Sequence, residues 1–181
     1  NFESLIASSV DLRLRSDVPV GIFLSGGLDS NLILNLAIKK NKNIEAYICN
    51  IPNKEEISGS STDVTVPKKI CQEYSCKYNE LIFDLNYLKK NLINILFDYD
   101  LLFTGTGHLI FHALSKEAKK KNTKVILTGS GGDEIGAGYT YHIAAWYLDL
   151  LNEKNINNPI KRLSSIIDKS INDTLNKYQF L

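Results

Sequence analysis

Short apolar runs alternate along the chain with longer stretches in which apolar residues recur every three or four positions. The clearest run, Val18–Leu24, is continuous and stops at a pair of glycines, a pattern typical of a strand buried on both faces. The intervening stretches have the spacing of one helix face, and the stretch 64–74 can hold Pro67 only in the first turn of its helix. We predict strands at 18–24, 44–51, 80–85 and 124–128, and helices over the first fifteen residues, around 32–37, and at 64–74, 87–97 and 109–120.

Strands that alternate with helices indicate right-handed crossovers and hence an α/β fold. We expect a doubly wound, mostly parallel sheet with helices on both faces, formed by a domain at 1–150. The polar stretch 51–62 is predicted to be a loop. Residues 151–181 are rich in Asn and Lys and are predicted to form a helical C-terminal extension, with one helix at 160–175.

Composition narrows the class of protein. A chain of 181 residues with 44% hydrophobic residues can bury a core without disulfide staples. Its 21 basic and 20 acidic residues give a net charge of +1, which argues against a nucleic-acid partner. No apolar run approaches the roughly 18 residues of a membrane span, and three cysteines do not make a secreted disulfide framework. We therefore expect a soluble, cytoplasmic protein with no membrane partner. Because the chain lacks Met and starts at Asn1, we also expect a piece of a longer protein.

A glycine-rich loop follows the first predicted strand. It runs Ser25-Gly26-Gly27-Leu28-Asp29-Ser30 and leads into a helix, whose first amide groups and positive dipole end make an anion site. The two glycines let the backbone approach an anion, and the serines add hydroxyl donors. A carboxylate at position 29 repels a bare phosphate and fits best with Mg²⁺ between them. The loop lacks the Lys of the common nucleotide-triphosphatase loop.

A second glycine-rich loop follows the fourth predicted strand. Three glycines lie within positions 129–132, and Asp133-Glu134 follows at once with carboxylates that suit a metal ion. Ligands of doubly wound sheets bind beyond the carboxyl ends of strands, where the strand order reverses. Since both loops leave such ends, we expect them to face one crevice. On its own, this second loop is as typical of an ordinary glycine-rich turn as of a ligand-binding loop.

The first loop resembles the pyrophosphate loop of the N-type ATP pyrophosphatases, which have the adenine nucleotide alpha hydrolase-like fold. The flank Arg13–Gly21 and the later stretch Gly129–Tyr139 narrow the resemblance, over residues 3–142, to the asparagine synthetase family. The resemblance implies an ATP-dependent carbon–nitrogen ligase that adenylates a carboxylate, releases pyrophosphate, and lets ammonia attack. Aspartate is the default acid, and the products are then asparagine, AMP and pyrophosphate. It also implies ATP and Mg²⁺ as cofactors and a glutaminase domain or subunit as partner, and leaves a homodimer open.

The resemblance also assigns site residues. Asp29 and Asp133 are implied to share Mg²⁺ and to be catalytic, together with Asp100, which matches an acidic position near the substrate. The remaining assignments concern ATP: the loop residues surround the pyrophosphate, and residues from three strand ends line the adenosine pocket. The ATP-binding set is Leu24, Ser25, Gly26, Gly27, Leu28, Asp29, Ser30, Cys49, Thr128 and Gly129.

Four departures from the family keep alternatives open. Ser130 stands where the family has Glu or Asp, and Gly136 replaces an aromatic residue. The sequence has no glutaminase segment with its cysteine nucleophile, and no match to the C-terminal region that carries a catalytic lysine. One alternative is therefore a related adenylating amidotransferase or cyclase with another acid. The other is an ATP-binding module that has lost catalysis.

Several polar residues have simpler interpretations. His108 and His112 are four apart on a predicted helix, but no third ligand follows at a telling distance, so a metal pair is the less favoured interpretation. Cys71 and Cys76 are predicted core thiols, and the lysines within 116–121 a solvated face. Asp98 and Asp100 are alternatively interpreted as caps of the helix that begins near residue 106.

Overall fold

The computed structural model describes residues 2–52, 64–100, 105–139, 141–143, 145, 146 and 149. Two compact units divide the chain, one at 1–129 and one at 130–181. Most of the predicted loop 51–62, and the whole of the predicted extension at 151–181 with its helix at 160–175, lie outside the described residues. These expectations, and the predicted domain boundary at residue 150, stay predictions.

The described residues form a parallel sheet flanked by helices. The helices are α1 (Phe2–Arg13), α2 (Leu28–Lys40), α3 (Thr65–Glu73), α4 (Leu85–Tyr99), α5 (Thr106–Lys120) and the short α6 (Gly132–Gly136). The strands are β1 (Val20–Phe23), β2 (Glu45–Asn50), β3 (Lys77–Ile82) and β4 (Val125–Leu127).

Strand order defines a switch point in the sheet. The order is β3-β2-β1-β4, and every pairing is parallel. The chain therefore builds outward from β1 to β3 and then returns to place β4 on the other side of β1. The register pairs Ile22 with Ala46 on one side and with Leu127 on the other. The reversal lies between β1 and β4, which is where sheets of this kind bind ligands.

Successive side chains of a strand point to opposite faces of the sheet, so alternate residues pack into two separate hydrophobic clusters. Ile22, Ala46 and Ile48 belong to a first cluster with residues of α1, α2 and α3. Tyr47 belongs to a second cluster with residues of α4 and α5, and Phe23 packs against it. The expected α/β fold with helices on both faces is confirmed.

One strand differs from its prediction. β3 begins at Lys77, three residues before the predicted start, and ends at Ile82. It ends early because Asp84 caps α4: its Oδ1 accepts the amide of Tyr87 at 2.7 Å. The polar start was missed because β3 is the outer strand of the described sheet, where Asn79 donates to the Glu45 carboxylate at 3.1 Å instead of packing in a core.

Two further expectations can be compared with the described residues. Pro67 lies in the first turn of α3, as its missing amide requires, and Cys71 and Cys76 are buried free thiols. Among the helices the structure describes, none is both long and apolar enough to cross a membrane.

Candidate nucleotide site

The start of α2 offers unused backbone donors. The loop leaves β1 and reaches Gly27, the N-cap residue of α2, which makes no side-chain capping bond. A helix start without a side-chain cap leaves its first amide groups available to an anion. Asp29 lies in this first turn, and no described side chain pairs with its carboxylate.

Two hydroxyl groups hold the loop in shape. The Oγ atoms of Ser25 and Ser30 lie 3.0 Å apart, and the Ser30 hydroxyl also donates to the Gly27 carbonyl at 3.2 Å. The Gly27 amide in turn donates to Ser25 Oγ at 3.2 Å. Ser30 is buried among the first residues of α2, so the loop is fixed before any ligand binds. Such preorganised donors suit the charge that develops on a leaving pyrophosphate.

Gly26 is required by both conformation and space. Its φ is +83°, in the left-handed region that favours glycine, and a Cβ there would lie 2.8 Å from Pro67 Cδ at the start of α3. The loop is therefore packed against α3. Pro67 is a partial signal for this contact, because a proline in a first helical turn is conformationally fixed, but its partner Gly26 could not be predicted.

The end of β4 touches the start of α2. A Cβ on Gly129 would lie 2.7 Å from the Ser30 nitrogen and 3.0 Å from Asp29 Cβ. Thr128 and Gly129 therefore sit beside the first glycine-rich loop, at the reversal of strand order. The structure thus brings together Ser25–Ser30 with residues 128 and 129, as the two strand ends predicted.

The predicted adenosine-pocket residues Leu24 and Cys49 face opposite sides of the sheet. Leu24 is 2% exposed and packs in the first cluster, so only its main chain can reach a ligand. Cys49 packs against the second cluster, and burial raises the pKa of its thiol to about 12. The thiol is therefore uncharged at neutral pH and unsuited to act as a nucleophile. Leu28 is 83% exposed, and its amide belongs to the open helix start.

Asp100 ends α4 in the left-handed conformation, with φ 51° and ψ 23°. The interpretation of Asp98 and Asp100 as N-caps of the next helix is wrong, because Gly105 is the N-cap of α5 and makes no side-chain capping bond. Asp98 instead pairs with His112 at 2.7 Å. That pair was not predicted, since fourteen positions separate the two residues and no periodicity joins them.

Within the second unit, Asp133 and Glu134 are held by contacts with Gly138 and Tyr139. A Cβ on Gly138 would overlap the Asp133 carboxylate, so the glycine leaves the space that this carboxylate occupies. Tyr139 donates its hydroxyl to Glu134 Oε1 at 2.9 Å. This bond raises the pKa of Tyr139 to about 12. The pKa of Glu134 is lowered first by a hydrogen bond from its own backbone amide and then by the bond from Tyr139.

The donor set fits Mg²⁺ held jointly by protein and substrate. Among the described residues, no group of three His, Cys, Asp or Glu side chains could hold a metal ion alone. Mg²⁺ commonly binds through one or two carboxylates together with phosphate oxygens and water. Asp29, next to an open helix start, suits that mode. His112 Nε2 lies 2.7 Å from the Asp98 carboxylate, and neither His108 nor His112 belongs to a group of three such side chains in the described part of the chain.

Fold and loop define a parallel α/β domain with a glycine-rich strand-to-helix connection at its switch point. A model of the asparagine synthase family matches residues 1–179, and the chain therefore belongs to that family.

Individual relatives agree with this family. The chain is 31% identical over 137 residues to "Asparagine synthetase [glutamine-hydrolyzing] 1" of Bacillus subtilis, covering 76% of this chain and 21% of that protein. It is 26% identical over 151 residues to "Putative asparagine synthetase [glutamine-hydrolyzing] 2" of Methanocaldococcus jannaschii, covering 83% and 28%. The chain thus spans about a quarter of the length of these relatives. A glutamine-dependent NAD+ synthetase from Acinetobacter baumannii, solved in complex with ADP, is similar at a TM-score of 0.48 and 16% identity, covering 75% of this chain and 26% of that one.

Proposed function

We propose that the chain is the nucleotide-binding part of an ATP-dependent carbon–nitrogen ligase that adenylates a carboxylate for attack by ammonia. The observation that carries the proposal is the contact of Gly129 with Asp29 and Ser30, which joins two strand ends at the switch point beside an uncapped helix start. Family membership supports the same chemistry. Aspartate is the proposed acid, because the named relatives are asparagine synthetases.

The pyrophosphate end of ATP is proposed to lie over the start of α2. There the amides of the first turn and the Ser25 hydroxyl donate to phosphate oxygens. Ser30 holds the loop in shape through its bond to the Gly27 carbonyl, and Gly26 and Gly27 keep side chains out of the way. These donors hold the leaving group in line while the acid attacks the α-phosphate, which breaks the bond to pyrophosphate. Ammonia then attacks the acyl-adenylate and displaces AMP.

Asp29 and Asp133 are the proposed Mg²⁺ ligands, and Asp100 is proposed to act at the acid site. When bound, Mg²⁺ supplies positive charge that offsets the charge developing on pyrophosphate. Leu24, Leu28, Cys49, Thr128 and Gly129 complete the proposed ATP site. The named relatives are glutamine-hydrolysing, which supports a glutaminase domain or subunit as the source of ammonia.

Calorimetric titration with ATP, with and without Mg²⁺, tests the nucleotide site. The Asp29→Asn variant should lose the Mg²⁺-dependent part of the affinity, at least tenfold, with unchanged unfolding. Asp17→Asn is the matched control, because Asp17 is an exposed carboxylate between α1 and β1. Equal binding by Asp29→Asn and wild type would remove Asp29 from the site.

Exchange of labelled pyrophosphate into ATP tests the acid. Aspartate should stimulate exchange by the wild-type chain. Stimulation by a different carboxylic acid alone would replace aspartate and favour a related amidotransferase or cyclase. Binding of ATP with no exchange for any acid would favour a nucleotide-binding module without catalysis.

A further inference from the structure

Two side-chain contacts join the last turn of α4 to the first half of α5. Asp98 Oδ2 lies 2.7 Å from His112 Nε2, and the Tyr99 hydroxyl donates to the His108 carbonyl at 2.9 Å. The Tyr99 ring also packs against both histidine rings, with centroids 5.9 Å from His108 and 6.0 Å from His112. The end of one helix is thereby tied to the face of the next.

Asp100 is held by this same last turn. Its amide donates to the carbonyls of Leu96 at 3.1 Å and Phe97 at 3.3 Å, and its backbone then turns into the left-handed region. Since Asp100 follows Asp98 by two residues, the contacts that fix Asp98 and Tyr99 also fix where the backbone of Asp100 leaves α4.

In the hydrogen bond between His112 and Asp98, His112 is the residue that is held in place by packing. The neighbouring α5 residues Leu109 and Ala113 are buried in the second cluster, and the His112 side chain is only 12% exposed. Its Nδ1 is buried and has no hydrogen-bond partner in the described structure. A proton on Nδ1 would lie there without an acceptor, so of the two neutral tautomers the one with its proton on Nε2, donated to Asp98, satisfies more hydrogen bonds. Asp98 is 63% exposed and depends on this bond for its position.

We propose that His112 is a positioning residue that acts through Asp98 to place Asp100 at the site of the acid substrate. This inference rests on the proposed function, in which Asp100 serves the acid. His112 itself touches neither ATP nor the acid. Loss of its Nε2 donor should therefore change recognition of the acid and leave that of ATP unchanged.

The test compares His112→Phe, which fills the space without a donor, with His112→Gln, whose side-chain amide can again donate to Asp98. Lys116→Gln is the control, because Lys116 lines the same groove as Asp98 and His112 one turn further along α5. Pyrophosphate exchange is measured against aspartate and against ATP, and hydrogen exchange is followed at the Asp100 amide. We expect His112→Phe to raise the KM for aspartate about tenfold, with an unchanged KM for ATP and faster exchange at Asp100, and we expect His112→Gln to recover most of both.

Two results would overturn the inference. One is an unchanged KM for aspartate in His112→Phe. The other is an equal loss toward both substrates that His112→Gln does not recover, because that pattern describes a purely structural histidine. Failure of the proposed function differs from failure of this inference. In that case the wild-type chain shows no aspartate-dependent exchange, and Asp100 has no acid substrate to serve. Hydrogen exchange at Asp100 still decides separately whether His112 holds the end of α4.

Discussion

At the scale of single residues, the neighbouring glycines Gly26 and Gly27 differ in backbone conformation and in the space available for a side chain. Gly26 has a φ of +83°, and a Cβ would lie 2.8 Å from Pro67, whereas Gly27 has a φ of −71° and open space up to Ser25 Oγ at 3.4 Å. We expect Gly26→Ala to lower the free energy of unfolding by about 1–3 kcal/mol, from left-handed strain and overpacking. Gly27→Ala should leave stability nearly unchanged. Urea denaturation of both variants measures this, and equal losses would contradict it.

Ser130 permits a prediction about catalysis. The position is exposed, so a longer side chain can be accommodated there without loss of folding. If the missing carboxylate limits the reaction, Ser130→Glu should raise aspartate-dependent exchange at least tenfold with unchanged ATP affinity, and Ser130→Gln, of equal size but uncharged, should not. Equal rates in all three proteins would mean that Ser130 does not limit catalysis.

At the scale of elements, an ion pair joins α3 to β3. Lys68 Nζ lies 2.8 Å from Glu80 Oε2, and Asn50 donates to the other carboxylate oxygen at 2.7 Å. Lys68 first, and then Asn50, hold the pKa of Glu80 below its ordinary value of 4.5, against the effect of burial. A carboxyl group with a lowered folded pKa stabilises the fold above its unfolded pKa, and this contribution is lost as the pH falls through the folded value.

Glu80→Gln should therefore lower the urea midpoint at pH 7, and the difference from wild type should shrink as the pH falls below about 4. Glu117→Gln is the control, because Glu117 forms its ion pair with Lys120, three positions away on the same helix. Its effect should be smaller at every pH. A difference for Glu80→Gln that persists at pH 3 would show that shape, and not charge, explains the loss.

The apolar runs predicted the elements well because burial on both faces leaves a strong signal. β1 and β4 lie within their predicted ranges, and α4 spans its predicted helix with two extra residues at each end. The pattern of apolar residues fails to predict the ends of elements where hydrogen bonds between polar groups set them. The start of β3 depends on pairing with β2, and α5 begins at Thr106, before its first buried residue Leu109. Caps and outer strands are set by hydrogen bonds that periodicity does not record.

At the scale of the whole molecule, the sequence predicted that the two glycine-rich loops face one crevice, because both follow the carboxyl ends of strands. The strand order that puts β4 beside β1 was not predicted. The contact of Gly129 with Ser30 agrees with the prediction of one crevice. The hydrogen bond between Asp98 and His112, and the packing of Pro67 on Gly26, could not be predicted from the sequence. Both depend on how helices are oriented on the sheet, which the pattern of apolar positions leaves open.

The closeness of β4 to α2 leads to the last prediction. A Cβ on Gly129 meets backbone, the Ser30 nitrogen at 2.7 Å, so Gly129→Ala must separate the end of β4 from the start of α2. We expect a loss of about 1–3 kcal/mol in the free energy of unfolding and at least a tenfold weaker binding of ATP with Mg²⁺.

Gly107→Ala is the matched control, because Gly107 lies inside α5 with nothing within 4 Å of its would-be Cβ. Alanine there should raise stability by about 0.5–1 kcal/mol and leave binding unchanged. Urea denaturation and calorimetry on both variants separate the two effects. If Gly129→Ala binds ATP as wild type does while unfolding more easily, the contact at the switch point serves packing alone. Loss of both together would show that the same closeness of β4 and α2 supports the fold and forms the nucleotide site.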